Sequence, residues 1–276
     1  MPETPLTPID ASHAPPVDSA LPTDRPPTIA EIYGQAYLLV EHTGGQQGLT
    51  HLVYELENRC RYSEDAASYF GGPQSWFPAD VVGCEKARGR VLDLGCGAGR
   101  HALALQAAGH KVVGVEPSAA AAVARRRGVD ARRGDLWDLP TDLGRFDTFL
   151  LLGGNLGMLI GDPRRQAALT ALAALAAPDA QLLGSDFEDP DADEPARLRA
   201  RIEHGGYRSP WSHWSGGEPY LPAERLPEVL HGTGWRLAGI HRVEGEPPGG
   251  YLVRLRLAKA PPHSPTAAHP HGEDAP

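Results

Sequence analysis

Apolar and polar residues alternate along this chain in two registers. Short apolar, β-rich runs occur at 90–95 (RVLDLG), 111–116 (KVVGVE), 131–136 (ARRGDL), 146–152 (FDTFLLL), 180–187 (AQLLGSDF), 235–243 (WRLAGIHRV) and 250–257 (GYLVRLRL). Each reads as a strand. The first five are joined by segments of helical type. "RHALALQAAG" and "SAAAAVARRRG" end in glycine, a natural helix stop, and "DPRRQAALTALAALAAPD" opens with Asp162 as N-cap and Pro163 in the first turn. Strands alternating with helices predict an α/β fold, a doubly wound, mostly parallel seven-stranded Rossmann-like sheet. Only the Gly/Pro-rich "EGEPPGG" separates the last two runs, which predicts an antiparallel hairpin closing one edge.

Before the alternation starts, "IAEIYGQAYLLVEH" and "LTHLVYELENRC" space apolar residues three and four apart, and "SYFGGPQSWFPAD" interrupts them. Residues 28–88 are therefore expected to form an N-terminal helical cap. Residues 1–27 and 261–276 are rich in Pro, Ser, Thr and Asp and are expected to be disordered tails. Between them, 89–260 reads as the catalytic domain, with a substrate-cap insertion at 189–230.

Composition narrows the function classes. The 276 residues are 41% hydrophobic and 22% charged, with a net charge of −9 and no basic stripe. "RRR" at 125–127 reads as a solvated helix end, so binding to nucleic acid is not expected. Cys60, Cys84 and Cys96 make an odd set without a C-x-x-C pair, against a disulfide framework or a zinc site. His263, His269 and His271 fall in the C-terminal tail, and no metal is expected. No run approaches the ~20 apolar residues that span a bilayer, and no segment resembles a signal peptide. The expectation is a cytoplasmic monomer or homodimer with no membrane partner.

The chemistry starts at "RVLDLGCGAGR" (90–100), where Gly95, Gly97 and Gly99 follow a strand and precede a helix. Such a turn offers free N–H groups and close backbone approach, and it binds nucleotides. A dinucleotide would set its pyrophosphate there. Asp93, two residues before Gly95, would repel that group by about 1 kcal/mol or more in screened surroundings. It suits an ammonium group, which S-adenosylmethionine (SAM) carries. The spacing also departs from G-x-G-x-x-G, since Arg100 stands where the third glycine is expected. Glu116, about twenty residues on and followed by Pro117, is placed to accept from ribose hydroxyls. Asp135 ends the third strand, placed for an adenine amino group, with Leu136 against the base. Taken singly, Asp93 reads equally as a helix N-cap, Asp135 as a turn residue and Glu116 as a loop charge. Jointly, they sit at the C-terminal ends of successive strands, where open α/β sheets bind ligands.

"VLDLGCGAGRHALAL", "VVGVEPS", "GDLWDLP" and "FDTFLLLGGNLGML", in this order and at these intervals, resemble the class I S-adenosylmethionine-dependent methyltransferases. The resemblance is strong over 88–187 and looser to about 259. It implies that Asp93, Gly95 and Gly97, with the Cys96 backbone between them, line the methionine end of SAM. It implies Glu116 and Pro117 at the ribose, Asp135 and Leu136 at the adenine, and Gly153, Gly154 and Asn155 near the sulfonium and the substrate.

The acceptor is less legible. "GGNLG" after the fourth strand is not the Asn/Asp-Pro-Pro-Tyr/Phe motif of enzymes that methylate amide or exocyclic amino nitrogens of macromolecules. Asn155 is a candidate for orienting a polar acceptor or a plain turn residue. Two aromatic segments are candidate caps. One carries Tyr33, Tyr37, Tyr62, Tyr69, Trp76 and Phe77. The other, "HGGYRSPWSHWSGG" (204–217), carries Tyr207, Arg208, Trp211, His213 and Trp214. Arg208 suits a substrate carboxylate or phosphate, and His213 a general base. The alternative is that Trp211 and Trp214 pin the insertion to the domain. His101 opens the helix after the turn, at the SAM carboxylate or facing solvent. The reading is methyl transfer to a small molecule by in-line displacement. The alternatives are a non-methylating reaction such as cyclisation, a protein acceptor, or a non-catalytic binding module.

Overall fold

The computed structural model describes residues 21–161, 163–187, 197–215, 223–244 and 249–258. Asp162, both expected tails except 21–27, and residues 189–196 and 216–222 of the 189–230 connection lie outside the described residues. In chain order the elements are α1 (Ile29–His42), β1 (Thr50–Leu56), β2 (Arg61–Asp65), α2 (Pro78–Lys86), β3 (Arg90–Leu94), α3 (Arg100–Ala107), β4 (Lys111–Glu116), α4 (Ala120–Arg126), β5 (Asp130–Arg133), β6 (Phe146–Leu151), α5 (Asn155–Gly161), α6 (Arg165–Ala174), β7 (Ala176–Phe187), β8 (Leu198–His204), β9 (Tyr207–Arg208), α7 (Leu226–Val229), β10 (Trp235–Arg242) and β11 (Gly250–Leu257).

Seven strands form one sheet in the order β10-β11-β7-β6-β3-β4-β5. β3, β4, β5, β6 and β7 run parallel, and β11 and β10 add antiparallel at one edge. This is the doubly wound sheet and closing hairpin that the apolar runs predict. Successive side chains of a strand face opposite sides, and both sides are buried. Leu92, Phe149, Leu182 and Trp235 pack on one side. Val91, Leu105, Leu150 and Leu183 pack on the other.

The N-terminal region corrects the expected helical cap. α1 forms as predicted, with Glu31 N donating to Thr28 Oγ1 (3.2 Å) and Thr28 N donating to Glu31 Oε2 (2.7 Å), a capping box. "LTHLVYELENRC" is not a helix: Thr50–Leu56 and Arg61–Asp65 are strands of a second, antiparallel sheet ordered β2-β1-β8-β9. The same leucines and valine satisfy a three-four spacing and a two-residue one, and pairing decides. β1 bonds along its length to β8, with Thr50 opposite His204. Thr50, Leu52 and Tyr54 then face α1 together with Ala200 and Ile202. The insertion thus supplies β8 and β9 of this sheet.

α1 joins the two sheets. It packs on α4, and at Gly34 the fit is so close that a Cβ would stand 2.8 Å from the Ser118 side chain and 2.9 Å from Ala119 N. That contact lays α1 over the C-terminal ends of β3 and β4.

Candidate active site

Asp93 is the next-to-last residue of β3, and its main chain lies between Gly114 of β4 and Leu150 of β6. The side chain is 2% exposed, and among the described residues Oδ2 has no hydrogen-bond partner. Burial pushes its carboxyl up to about 6. His101 and Arg100 pull it back, while Asp80 and Glu116 push it further. The chain then turns through Gly95, Gly97 and Gly99, all in the left-handed region (φ +73°, +53° and +85°). Gly95 N and Cys96 N both donate to Val115 O, so the turn is laid across the end of β4. Cys96 itself is buried, and burial holds its thiol well above its usual range.

Glu116, at the end of β4, is fixed by the turn it faces. Gly97 N donates to Oε2 at 3.0 Å, and Ser118 N (3.0 Å) and Ser118 Oγ donate to Oε1. A carboxylate has about four acceptor positions, so Glu116 keeps capacity for further donors. Asp135 makes a turn: its Oδ1 accepts from Trp137 N and Asp138 N, both 2.7 Å. Leu136 lies beside it with Trp137 and Leu139 against α6.

The β6 turn is held by residues far apart along the chain. Asp80, on α2 and fully buried, accepts from Gly153 N (2.9 Å) and Ser185 Oγ (2.6 Å). Arg100 Nη2 and His101 Nε2 stand 3.3 and 3.4 Å from its Oδ2. Burial opposes ionisation of Asp80, but His101, Ser185 and Arg100 outweigh it and keep the carboxyl below its usual range. His101 is therefore buried in this network rather than solvent-facing. Asn155 Nδ2 donates to Leu94 O (3.1 Å) and Gly95 O (3.3 Å), bracing the β6 turn against the glycine turn. At the end of β7, Asp186 is 2% exposed. Its Oδ1 accepts from Phe187 N (2.9 Å), and among the described residues its Oδ2 has no hydrogen-bond partner.

An aromatic wall closes over this crevice. Tyr33 meets Tyr37 and Tyr69 with centroids 5.8 Å apart, and its hydroxyl bonds that of Tyr54 at 2.5 Å. Burial raises all four hydroxyls, that of Tyr33 to about 12. The Arg100 guanidinium lies 4.8 Å over Tyr69. Trp76 donates from Nε1 to Gly71 O and packs edge-on against His101 at 4.7 Å. Phe77 packs edge-on against Phe187 at 4.8 Å. Tyr62 stacks on Tyr54 at the outer margin, 42% exposed.

The other expected substrate residues lie elsewhere. Ala200 and Ile202 face α1, so Arg199 and Arg201 face away. Trp211 packs on Arg61, Arg199 and Arg201, and Trp214 on Arg199, with centroid distances of 4.6–5.5 Å. Arg208 is exposed, 3.3 Å from Glu203, and Tyr207 is half-buried. His213 is exposed, and its main-chain N–H is tied to Pro27 O. Their segment runs along β8 with a three-residue repeat. Ser209, Ser212 and Ser215 each donate a backbone N–H to Ile202, Ala200 and Leu198, and each hydroxyl accepts the N–H of the same residue. The structure thus gathers Tyr69 and Trp76 at the crevice and sets Trp211 and Trp214 on the far face of the second sheet, with His213 exposed beside Pro27.

Residues 91–179 match the family model for a methyltransferase domain. Over this stretch the chain carries a methyltransferase domain. The matched stretch runs from β3 into β7 and includes Asp93, Glu116, Asp135 and Asn155. A SAM-dependent methyltransferase from Bacteroides fragilis, solved with S-adenosylhomocysteine, is similar at a TM-score of 0.64 and 23% identity, over 82% of this chain and 94% of that one. The CcbJ methyltransferase from Streptomyces caelestis is similar at 0.53 and 18%, over 69% and 92%. DhpI in complex with SAM and HEP is similar at 0.50 and 23%, over 65% and 84%. At these identities the likeness is one of fold. No curated protein matches the chain. Among the described residues no helix is long and apolar enough to cross a membrane, and no group of three His, Cys, Asp or Glu is placed to hold a metal ion.

Proposed function

We propose that this methyltransferase transfers the methyl of SAM to a small molecule. The carrying observation is Asp93, a buried carboxylate with an unpartnered oxygen at the mouth of the glycine turn. An uncompensated buried charge is costly, and a cationic ligand removes that cost where a pyrophosphate would add to it. In this reading Asp93 receives the ammonium of SAM, and the backbone of Gly95, Cys96 and Gly97 lines its methionine end. Glu116 and Pro117 flank the ribose. The second oxygen of Asp135 meets the adenine amino group and Leu136 the ring. Gly153 and Gly154 border the sulfonium, which supplies an electrophilic methyl when bound.

The small-molecule acceptor rests on the cover. Tyr33, Tyr37, Tyr54 and Tyr69 are held between α1, the second sheet and the glycine turn, and Trp76 packs on His101 at the same level. A pocket roofed in this way suits a compact acceptor, held by aromatic faces and aligned with the methyl. Asn155, spent on two carbonyls of the glycine turn, serves as a brace in this scheme.

Calorimetric titration of the full chain with SAM, S-adenosylhomocysteine and NAD tests the cofactor. The first two are expected to bind at micromolar levels and NAD not at all. Binding of NAD alone would overturn the reading. The acceptor class follows from incubating labelled SAM with metabolite fractions and finding label in small products.

A further inference from the structure

One buried acid remains that no step above employs. Asp186 stands at the C-terminal end of β7, at the crevice. Gly184, two residues earlier on the same side of the strand, packs under Leu156 of α5. A Cβ on Gly154, in the turn before α5, would lie 4.0 Å from Asp186 Oδ1. The carboxyl thus borders the turn assigned above to the sulfonium, with the Phe77–Phe187 pair beside it.

Its carboxyl lacks partners in a way the other acids do not. Asp80 has Arg100, His101 and Ser185. Glu116 has three N–H and O–H donors. Asp93 answers to the ammonium of SAM in the proposed function. Among the described residues Asp186 has only the Phe187 N–H, and its Oδ2 meets no donor. Tyr251 lies opposite it on β11, and Ser185 and Asp80 lie on the other side of β7. An isolated carboxylate this buried is tolerated where a partner arrives with the substrate.

We propose that Asp186 binds the nucleophilic nitrogen of the acceptor through Oδ2 and takes its proton, so that the acceptor is a primary or secondary amine. This rests on the proposed function and names the substrate class of that site. The acceptor enters as an ammonium ion, which supplies the missing positive charge. The N–H proton passes to Asp186 Oδ2, leaving a neutral amine and a carboxylic acid. The nitrogen lone pair forms the new N–C bond to the methyl carbon, the C–S bond breaks, and its electron pair stays on sulfur as a neutral thioether. The methylated nitrogen carries the positive charge and regains electrical balance when a proton leaves it. Burial, relieved only by the Phe187 N–H, raises the Asp186 carboxyl to about 8, which suits a base working on an ammonium ion near neutral pH.

The test uses the full chain saturated with S-adenosylhomocysteine. Matched probes are benzylamine with benzyl alcohol, and phenethylamine with phenethyl alcohol, with binding read by saturation-transfer NMR. The amines are expected to bind the wild type, and Asp186→Asn to weaken them at least tenfold. The alcohols and the affinity for S-adenosylhomocysteine should stay unchanged. Carboxyl-labelled aspartate gives a second reading: benzylamine should lower the titration midpoint of Asp186 in the wild type. Amines that fail to bind, amines and alcohols binding alike, or amine binding that survives Asp186→Asn each overturn the proposal. If Asp186→Asn lacks a cooperative melt, the wild-type midpoint decides, and an unmoved midpoint overturns it. Failure of S-adenosylhomocysteine to bind the wild type counts against the proposed function instead.

Discussion

Tyr37 lies against the glycine turn: a Cβ on Gly97 would stand 3.1 Å from its Cε2. The helix that carries Tyr37 comes from the N-terminal region, and the turn belongs to the parallel sheet. The contact makes α1 part of the cofactor crevice. Gly97 also sits at φ +53°, where a side chain costs about 1–2 kcal/mol. Gly97→Ala is therefore expected to weaken S-adenosylhomocysteine binding about tenfold or more while the protein stays folded. Calorimetry with a parallel melting curve checks this, and unchanged affinity would remove Tyr37 and Gly97 from the site.

Asp93 makes SAM binding pH-dependent with a definite sign. Its carboxyl titrates near 6 in the ligand-free protein, and an ammonium beside it would lower that value. Affinity should be level above pH 6 and fall toward tenfold per pH unit below it. Asp93→Asn should lose about 10- to 100-fold at neutral pH, the worth of about 1.5–3 kcal/mol for a charged hydrogen bond, and should flatten the profile. A flat wild-type profile between pH 5 and 8 contradicts the assignment.

Asp186 and Asp80 pull stability in opposite directions. The folded carboxyl of Asp186 titrates near 8, far above its unfolded value near 3.9. Between those values the folded state holds a proton the unfolded state has lost, so stability falls as pH rises. Asp186→Asn removes that slope, and its melting temperature should gain on the wild type from pH 4 to 8 and level off above. The Asp80 carboxyl is lowered, so its contribution is present above pH 4 and fades in acid. Asp80→Asn should narrow the gap between neutral and acid melting temperatures. Parallel wild-type and Asp186→Asn curves across that range would refute the first claim.

Trp211 and Trp214 pack on arginines on the far face of the second sheet. Each cation–π contact is worth about 0.5–2 kcal/mol. Trp211→Ala and Trp214→Ala should lower the melting temperature yet leave S-adenosylhomocysteine affinity and methyl transfer per folded molecule intact. His213→Ala should change none of these. A His213→Ala variant that binds normally but cannot transfer methyl would return that histidine to the reaction.

These contrasts mark what the sequence disclosed. The parallel sheet was legible because each of its strands is a local apolar run, and helix stops such as Gly109 and Gly128 punctuate it. Asp93 was legible because its meaning depends on Gly95 two residues away. The second sheet was not: Leu52 and Val53 fit a helix until Thr50 meets His204, 154 residues on. Asp80 was hidden for the same reason, since Ser185 lies 105 residues from it. Asp186 left one trace, an acid inside "QLLGSDF" at the C-terminal end of a parallel strand, which is where such sheets keep their ligands.

The serine repeat beside β8 has a consequence for how this protein behaves among its own copies. Ser209, Ser212 and Ser215 take up the N–H and C=O of Ile202, Ala200 and Leu198, three residues of this segment against two of β8. A strand offered to the outside of that segment finds groups spaced to a different pitch from its own. The margin that β8 would otherwise present, a template for sheet-to-sheet growth, is terminated by a mismatch of step, and crowding such molecules together gives that edge no way to propagate.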